Sequence, residues 1–156
     1  MAIEIERKFL VTGDFRNEII ESIPVRQGYL SSVSERTVRV RIKGTRGFLT
    51  IKGKSDVSGA GRFEWEWEID KDEAEDLLKL CEPGIIEKIR HIIPVGKHTF
   101  EVDEFLGDNS GLIVAEVELT TFEETFEKPS WLGPEVTKDN RYYNSWLSKN
   151  PFRLWK

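Results

Sequence analysis

The chain has 156 residues, of which 38% are hydrophobic and 33% are charged. This length suits one hydrophobic core, so residues 1–156 are predicted to form a single domain. The formal net charge of −5 argues against a nucleic-acid partner, because no pervasive basic field is present, but it leaves room for a local basic cluster that binds phosphate.

The sequence also limits the compartment. Its one cysteine, Cys81, excludes an internal disulfide and fits a reducing environment. Strand-like sequence that starts at Ala2 and carries Glu4 and Glu6 predicts no signal peptide. No apolar run approaches the roughly 20 residues of a membrane span. We therefore expect a cytoplasmic protein with no membrane partner.

Alternating runs rich in Val, Ile, Phe and Trp, separated by glycine-containing turns, predict eight strands. In chain order these are residues 2–11, 24–32, 35–43, 47–54, 62–70, 85–95, 98–105 and 111–120. Most of the connections are short turns, so neighbouring strands are expected to be antiparallel.

Helical patterns are fewer. A short helix is predicted over 14–22, and a second helix runs from a cap at Asp70 or Asp72 through Leu80. A third is predicted over 139–149 from the spacing of its aromatic residues. The stretch 121–138 contains two prolines and is predicted to be an irregular connector.

Successive strand side chains point to opposite faces, and in at least seven of these strands one face is almost wholly ionic. The ionic faces carry Glu4, Glu6 and Lys8; Arg39, Arg41 and Lys43; Lys52 and Lys54; Arg62, Glu64, Glu66 and Glu68; Lys88 and Arg90; Glu101 and Asp103; Glu116 and Glu118. The opposite faces carry bulky Trp, Phe and Ile. From the alternation alone, two arrangements remain open: the charges cover the outside of an ordinary core, or they line a wide, wet barrel. A dry core is excluded, because burying so many charges costs too much.

Several short motifs occur together along the chain. The first is Glu4-Ile5-Glu6-Arg7-Lys8, and it is followed in order by Gln27-Gly28-Tyr29-Leu30, Val38-Arg39-Val40-Arg41, Thr50-Ile51-Lys52-Gly53, Glu64-Trp65-Glu66, Glu87-Lys88-Ile89-Arg90, Glu101-Val102-Asp103-Glu104-Phe105 and Ala115-Glu116-Val117-Glu118-Leu119. As a set they resemble the CYTH superfamily, the triphosphate tunnel metalloenzymes. The resemblance implies an α+β, mainly β fold: an eight-stranded antiparallel closed β-barrel that forms a tunnel, with a few helices packed outside.

The charged set also suggests a chemistry. A triphosphate is a polyanion, and six basic side chains could grip its oxygens: Lys8, Arg39, Arg41, Lys52, Lys88 and Arg90. Oxygen ligands without a His or Cys cluster select Mg²⁺ or Mn²⁺. The resemblance assigns metal binding to Glu4, Glu6, Glu116 and Glu118, and the other candidate ligands are Glu64, Glu66 and Asp103.

The predicted catalytic side chains are Lys8, Tyr29 and Lys88. Lys8 with Tyr29 is a candidate proton relay, with a structural role for the tyrosine as the alternative. The identity of the general base stays open at this point.

The function that the resemblance favours is metal-dependent hydrolysis of inorganic triphosphate, a small-molecule substrate. The alternatives are a class IV adenylate cyclase, a thiamine or nucleoside triphosphatase, and a polyphosphate-binding module without turnover. The C-terminal aromatic residues are expected to pack the last helix against the barrel; closing one tunnel mouth or pairing two subunits as a homodimer are the alternatives.

Overall fold

The computed structural model describes residues 2–155, which form nine strands and two α-helices. The strands are β1 (Ala2–Val11), β2 (Glu21–Ser31), β3 (Arg36–Lys43), β4 (Arg46–Gly53), β5 (Gly61–Ile69), β6 (Ile86–Val95), β7 (His98–Phe105), β8 (Ile113–Leu119) and β9 (Leu132–Glu135). The helices are α1 (Lys71–Leu78) and α2 (Asn144–Leu147).

Eight of the strands close into a barrel. Their hydrogen-bonded order is β5-β4-β3-β2-β6-β7-β8-β1, and β1 pairs in turn with β5. All of these pairings are antiparallel. The predicted eight-stranded antiparallel closed barrel is therefore confirmed, and closure leaves few unpaired backbone groups at its edges.

The ninth strand corrects the prediction that 121–138 is irregular. β9 pairs with Phe9 and Val11 of β1, whereas β5 pairs only with the first part of that strand, residues 2–5. β9 thus pairs with the C-terminal part of β1, which β5 does not reach. Pro134 lies in this short edge strand, where a missing N–H is tolerated, and for that reason the prolines did not exclude a strand here.

The predicted helix over 14–22 is wrong. Only Arg16–Glu18 form a single 3-10 turn, and β2 begins at Glu21, where it pairs with Ile92 of β6. The apolar residues that suggested a helix divide between two environments: Phe15 is buried in the core, and Ile20 is exposed. Strand pairing across the barrel overrides a weak local helical pattern.

The helix predicted over 139–149 is broken into two pieces. A 3-10 turn over Asn140–Tyr142 is followed by α2, and the extended backbone of Tyr143 (φ −78°, ψ 134°) separates them. The helix predicted near 70–80 is confirmed as α1, with Asp70 at its N-cap. Within residues 2–155, no helix has the length and apolar character needed to cross a membrane.

The apolar faces of the strands lie on the outside of the barrel, where most of them are covered; Phe63 and Trp67 of β5 remain exposed. The larger cluster surrounds Trp131, which packs edge-on against Phe100 and Phe15 and donates a hydrogen bond from Nε1 to Glu18 (3.1 Å). A second cluster lies between α1 and β3, with Val40 against Ala74. The charged faces therefore point inward, and the structure decides between the two arrangements that alternation left open.

One end of the lumen is apolar. Ile86, Phe105 and Val114 occupy lumen-facing positions on β6, β7 and β8, two residues from Lys88, Asp103 and Glu116 respectively. They form a buried cluster with Leu147 of α2, with Phe152 and Trp155 packed against it. The chain that follows β9 therefore fills this end of the barrel with side chains.

Substituting Trp131 with alanine tests the outer core. Trp131 is fully buried (0% exposed), so Trp131→Ala should lower the free energy of unfolding by about 3–5 kcal/mol, as measured by denaturant titration. Trp67→Ala is the matched control, because Trp67 is 50% exposed on β5. Equal losses in the two variants would contradict the placement of Trp131 in the core.

Candidate active site

The lumen contains a cavity of about 200 Å³ with an almost entirely polar and charged lining. All eight strands of the closed barrel contribute to this lining: β2 contributes only Tyr29 and β7 only Glu101, and each of the other strands contributes two or more residues. Because neighbouring strands present their i, i+2 side chains to the same face, the alternating ionic sequence becomes a continuous charged wall.

Most of the basic residues of the lumen lie on one side of the barrel. Basic residues come from β3 (Arg39, Arg41, Lys43) and β6 (Lys88, Arg90). These two strands flank β2, whose lumen-facing residues are uncharged. The basic side chains therefore form one wall of the lumen, with Tyr29 of β2 between them.

Carboxylates dominate the opposite wall, on the adjacent strands β7, β8, β1 and β5. They are Glu101, Glu116, Glu118, Glu4, Glu6, Glu64 and Glu66. Lys8, Lys52 and Arg62 lie among them. Lys8 Nζ contacts Glu116 (2.9 Å) and Glu6 (3.2 Å), and Lys52 Nζ contacts Glu4 (2.7 Å) and Glu64 (3.5 Å).

The two most buried lysines of the lumen have opposite electrostatic environments. Burial opposes the charge on Lys8, but Glu116 and Glu6 outweigh it and raise its pKa well above the ordinary value. For Lys88, burial prevails with the help of Arg90, and its pKa falls to about 8 even though Asp103 lies 2.8 Å away. Lys8 is thus a fixed cation, while Lys88 can exchange a proton near neutral pH.

Like charges face each other at two places on the acidic wall. Glu6 on β1 is the direct cross-strand partner of Glu118 on β8, an arrangement that is unfavourable unless a cation lies between the two groups. Partial burial, followed by repulsion from Glu4 and Glu6, raises the pKa of Glu118. Glu101 and Glu116 are also direct partners, and burial raises the pKa of Glu101.

This crowding of carboxylates fits a divalent cation. The donors are all oxygens, which suits Mg²⁺ or Mn²⁺, and the repulsion at Glu118 is what a cation would relieve. Within the described residues, no three or more acidic, His or Cys side chains already converge on one point, because several of the carboxylates contact lysines instead. The metal-ligand assignment from the sequence stays a prediction.

The predicted site residues come together with one difference in position. The following line the cavity: Glu4, Glu6, Lys8, Tyr29, Arg39, Arg41, Lys52, Glu64, Glu66, Lys88, Arg90, Glu116 and Glu118. Asp103 is fully buried behind them, where it accepts two hydrogen bonds from Arg90 (2.8 and 2.9 Å) and pairs with Lys88. Lys8 Nζ lies between glutamates, and these contacts give no support to a relay through Tyr29.

Other lining residues were missing from the predicted set. Strand alternation alone identifies Lys43, Arg62 and Glu101, which share faces with predicted residues. The residues of the C-terminal segment Tyr143–Ser145 also line the cavity. No local pattern indicates this role, since these residues reach the lumen only through the packing of α2 against the end of the barrel.

The fold and site define a closed β-barrel with a polarised, charged lumen for a small anionic ligand. The chain belongs to the CYTH family: the model of the CYTH domain matches residues 2–149. An inorganic triphosphatase of Acetivibrio thermocellus is 46% identical to it over 157 residues, which cover 100% of this chain and 99% of the relative. One from Nitrosomonas europaea is 39% identical over 150 residues, 93% and 96% of the two chains.

A solved structure agrees with these relatives. The crystal structure of the inorganic triphosphatase NE1496 superimposes with a TM-score of 0.67 at 36% identity, and the match covers 95% of each chain. A structure from Pyrococcus horikoshii is 22% identical with a TM-score of 0.59, and it supports the fold alone.

Neutralising Glu118 tests the like-charge cluster. In metal-free protein, Glu118→Gln should raise the melting temperature by about 1–3 °C, because repulsion from Glu6 and Glu4 is removed. Added Mg²⁺ should stabilise the wild type more than the variant, since a carboxylate ligand is lost. Differential scanning calorimetry with and without Mg²⁺ measures both effects.

Glu87→Gln is the matched control, because Glu87 is exposed on β6 in the alternation that faces away from the lumen. The cluster is not a metal site if Glu118→Gln and the wild type show the same Mg²⁺-induced shift.

Proposed function

We propose that this protein hydrolyses inorganic triphosphate to pyrophosphate and phosphate with Mg²⁺ or Mn²⁺. The observation that carries the proposal is the division of one small lumen into a basic wall and an acidic wall. A polyanion can contact the basic side chains directly, and it can contact the carboxylates of the acidic wall only through metal. The names of the two relatives, both inorganic triphosphatases, support the same activity.

The basic wall has unused hydrogen-bonding capacity that suits phosphate oxygens. The Nε atoms of Arg39 and Arg41 are buried and have no partner within residues 2–155. The carboxylate that serves both guanidinium groups, Glu66, lies at 3.7 and 3.5 Å from them, which is too far for strong pairing. An unsatisfied buried donor is costly, so an anion that accepts from both arginines would be bound tightly.

Glu6, Glu118, Glu4 and Glu116 would hold the metal, with Glu64 and Glu66 as further ligands. Asp103, also predicted as a ligand, does not line the cavity and pairs with Arg90 and Lys88, so we leave it out of the metal site. A bound divalent cation would neutralise charge on the phosphate oxygens and lower the pKa of nearby water. The protein itself holds the triphosphate in line for attack through Arg39, Arg41 and Arg90. Lys52 and Lys8 keep positive charge on the acidic wall next to the same oxygens.

Hydrolysis needs a water oxygen to attack a terminal phosphorus while the bond from that phosphorus to the bridging oxygen breaks. The proton lost by the water must be accepted, and the pyrophosphate that leaves must be stabilised. Burial lowers the pKa of Lys88 to about 8, so its neutral amine is our candidate to accept the proton of the attacking water. Lys8, permanently charged, is the candidate for stabilising the leaving pyrophosphate, with Tyr29 as a further contact in the cavity.

The cavity also favours a substrate without a base. Its volume of about 200 Å³ lies below the roughly 300–1,000 Å³ typical of pockets for drug-sized ligands. Its lining offers two tyrosines, Tyr29 and Tyr143, and almost no other apolar surface for a nucleobase or thiazolium ring. Inorganic triphosphate fits this space better than ATP or thiamine triphosphate.

Substrate assays distinguish the proposal from its alternatives. With Mg²⁺ or Mn²⁺ present, phosphate release from tripolyphosphate should exceed release from ATP or thiamine triphosphate in kcat/KM. Binding of tripolyphosphate without release would instead indicate a binding module. Cyclic AMP and pyrophosphate formed from ATP would indicate a cyclase.

Removing one arginine of the basic wall should weaken substrate binding. Arg41→Gln should lower kcat/KM for tripolyphosphate by about 10- to 100-fold, mainly through KM, because a charge-assisted contact in a buried site is lost. Steady-state kinetics measure the change. Arg46→Gln is the control, since Arg46 pairs with Glu68 at the exposed end of β4. Similar kinetics for the two variants would show that Arg41 does not bind substrate.

A further inference from the structure

The lumen of the barrel receives one group of side chains from outside its strands. Tyr143, Asn144 and Ser145 precede or begin α2 and line the cavity. Of these, Asn144 makes a specific contact with the basic wall, because its Oδ1 accepts a hydrogen bond from Lys88 Nζ at 3.1 Å.

The packing of α2 places Asn144 at this point. Asn144 and Leu147 are three residues apart, so they lie on the same side of the helix. Ile86 and Lys88 are two residues apart on β6 and share its lumen face. Leu147 packs in the buried cluster with Ile86, and Asn144 meets Lys88 one step further into the lumen. The packing of Leu147 against Ile86 therefore determines how far into the lumen Asn144 meets Lys88.

Tyr143 fixes the segment from the other side. Its hydroxyl donates to the carbonyl oxygens of Gly59 (3.3 Å) and Thr137 (3.4 Å), and its ring centroid lies 5.9 Å from Lys8 Nζ. Asn144 is therefore held between an anchored tyrosine and a buried leucine, and its amide has little freedom to leave Lys88.

The geometry around Lys88 Nζ makes this contact directional. The nitrogen has three positions for hydrogens besides its bond to carbon. Asp103 Oδ2 (2.8 Å) takes one and Asn144 Oδ1 takes another. Both acceptors belong to the protein, so the third position is the one that remains for a ligand in the cavity that Lys88 lines.

We propose that Asn144 is a positioning residue for Lys88: it directs the third position on the lysine nitrogen towards the substrate, and the C-terminal segment is thereby part of the active site. The proposal rests on the proposed triphosphatase activity. Without Asn144, the lysine nitrogen can rotate about its last bond and present that position to Asp103 or to solvent. The expected consequence is a slower reaction with little change in substrate binding.

The test is a double-mutant cycle with Asn144→Leu and Lys88→Met in the full-length chain, assayed with tripolyphosphate and Mg²⁺. Leucine has the size of asparagine without its acceptor oxygen. Asn144→Leu should lower kcat by about tenfold or more while KM changes less than about twofold. In the Lys88→Met background, Asn144→Leu should have no further effect, because it acts through the lysine.

Two further variants separate positioning from general damage. Asn150→Leu makes the same change in the segment after α2, where the Asn150 amide donates to the carbonyl oxygen of Trp146 away from the cavity lining, and it should leave kcat unchanged. Asn144→Asp keeps an acceptor oxygen at the same place and should retain more activity than Asn144→Leu. All variants should melt within a few degrees of the wild type.

A kcat for Asn144→Leu within twofold of the wild type would overturn the proposal, as would equal losses in Asn144→Leu and Asn144→Asp. Full additivity with Lys88→Met would also overturn it. If the wild type releases no phosphate from tripolyphosphate, the proposed function itself is wrong. The wild-type assay alone shows this, so it can be distinguished from a failure of the positioning role.

Discussion

The structure depends on one electrostatic constraint: many charged side chains must face inward without being buried in a dry interior. A closed barrel with a wide lumen satisfies this constraint, because its charges pair across strands and most of them border the cavity. The register supplies the pairs directly, with Lys8 opposite Glu116, Lys52 opposite Glu64 and Arg90 opposite Asp103. Where the register instead places like charges together, as at Glu6 and Glu118, the lumen has room for a cation.

Separation of the two signs follows from strand order as well as from sequence. The basic strands β3 and β6 are distant in the chain but lie on either side of β2, whose lumen residues include Gln27 and Tyr29 and carry no charge. The order of the remaining strands brings the carboxylates of the first strand next to those of β8 and β5. A polarised lumen of this kind offers basic side chains to an anion and carboxylates to a metal next to each other.

The barrel and most of its lumen could be predicted from the sequence because both rest on alternation with a period of two residues. Alternation placed Arg39, Lys52 and Glu116 on ionic faces, and the resemblance to the CYTH superfamily indicated that these faces point into the barrel. Features that depend on packing between distant segments could not be read in this way. The helix expected over 14–22 gave way to strand pairing at Glu21, and nothing in the local sequence shows that Asn144 reaches Lys88.

The pairing of β1 has a consequence for how the molecule is made. Its partners β5, β8 and β9 all lie far along the chain, so β1 leaves the ribosome well before any strand with which it pairs. The barrel cannot close until Leu119 has been synthesised, and contacts of such long sequence separation make folding slow. Until then β1 carries unpaired backbone groups, and its alternating glutamates, the same residues that crowd the finished lumen, disfavour association of that strand with other chains.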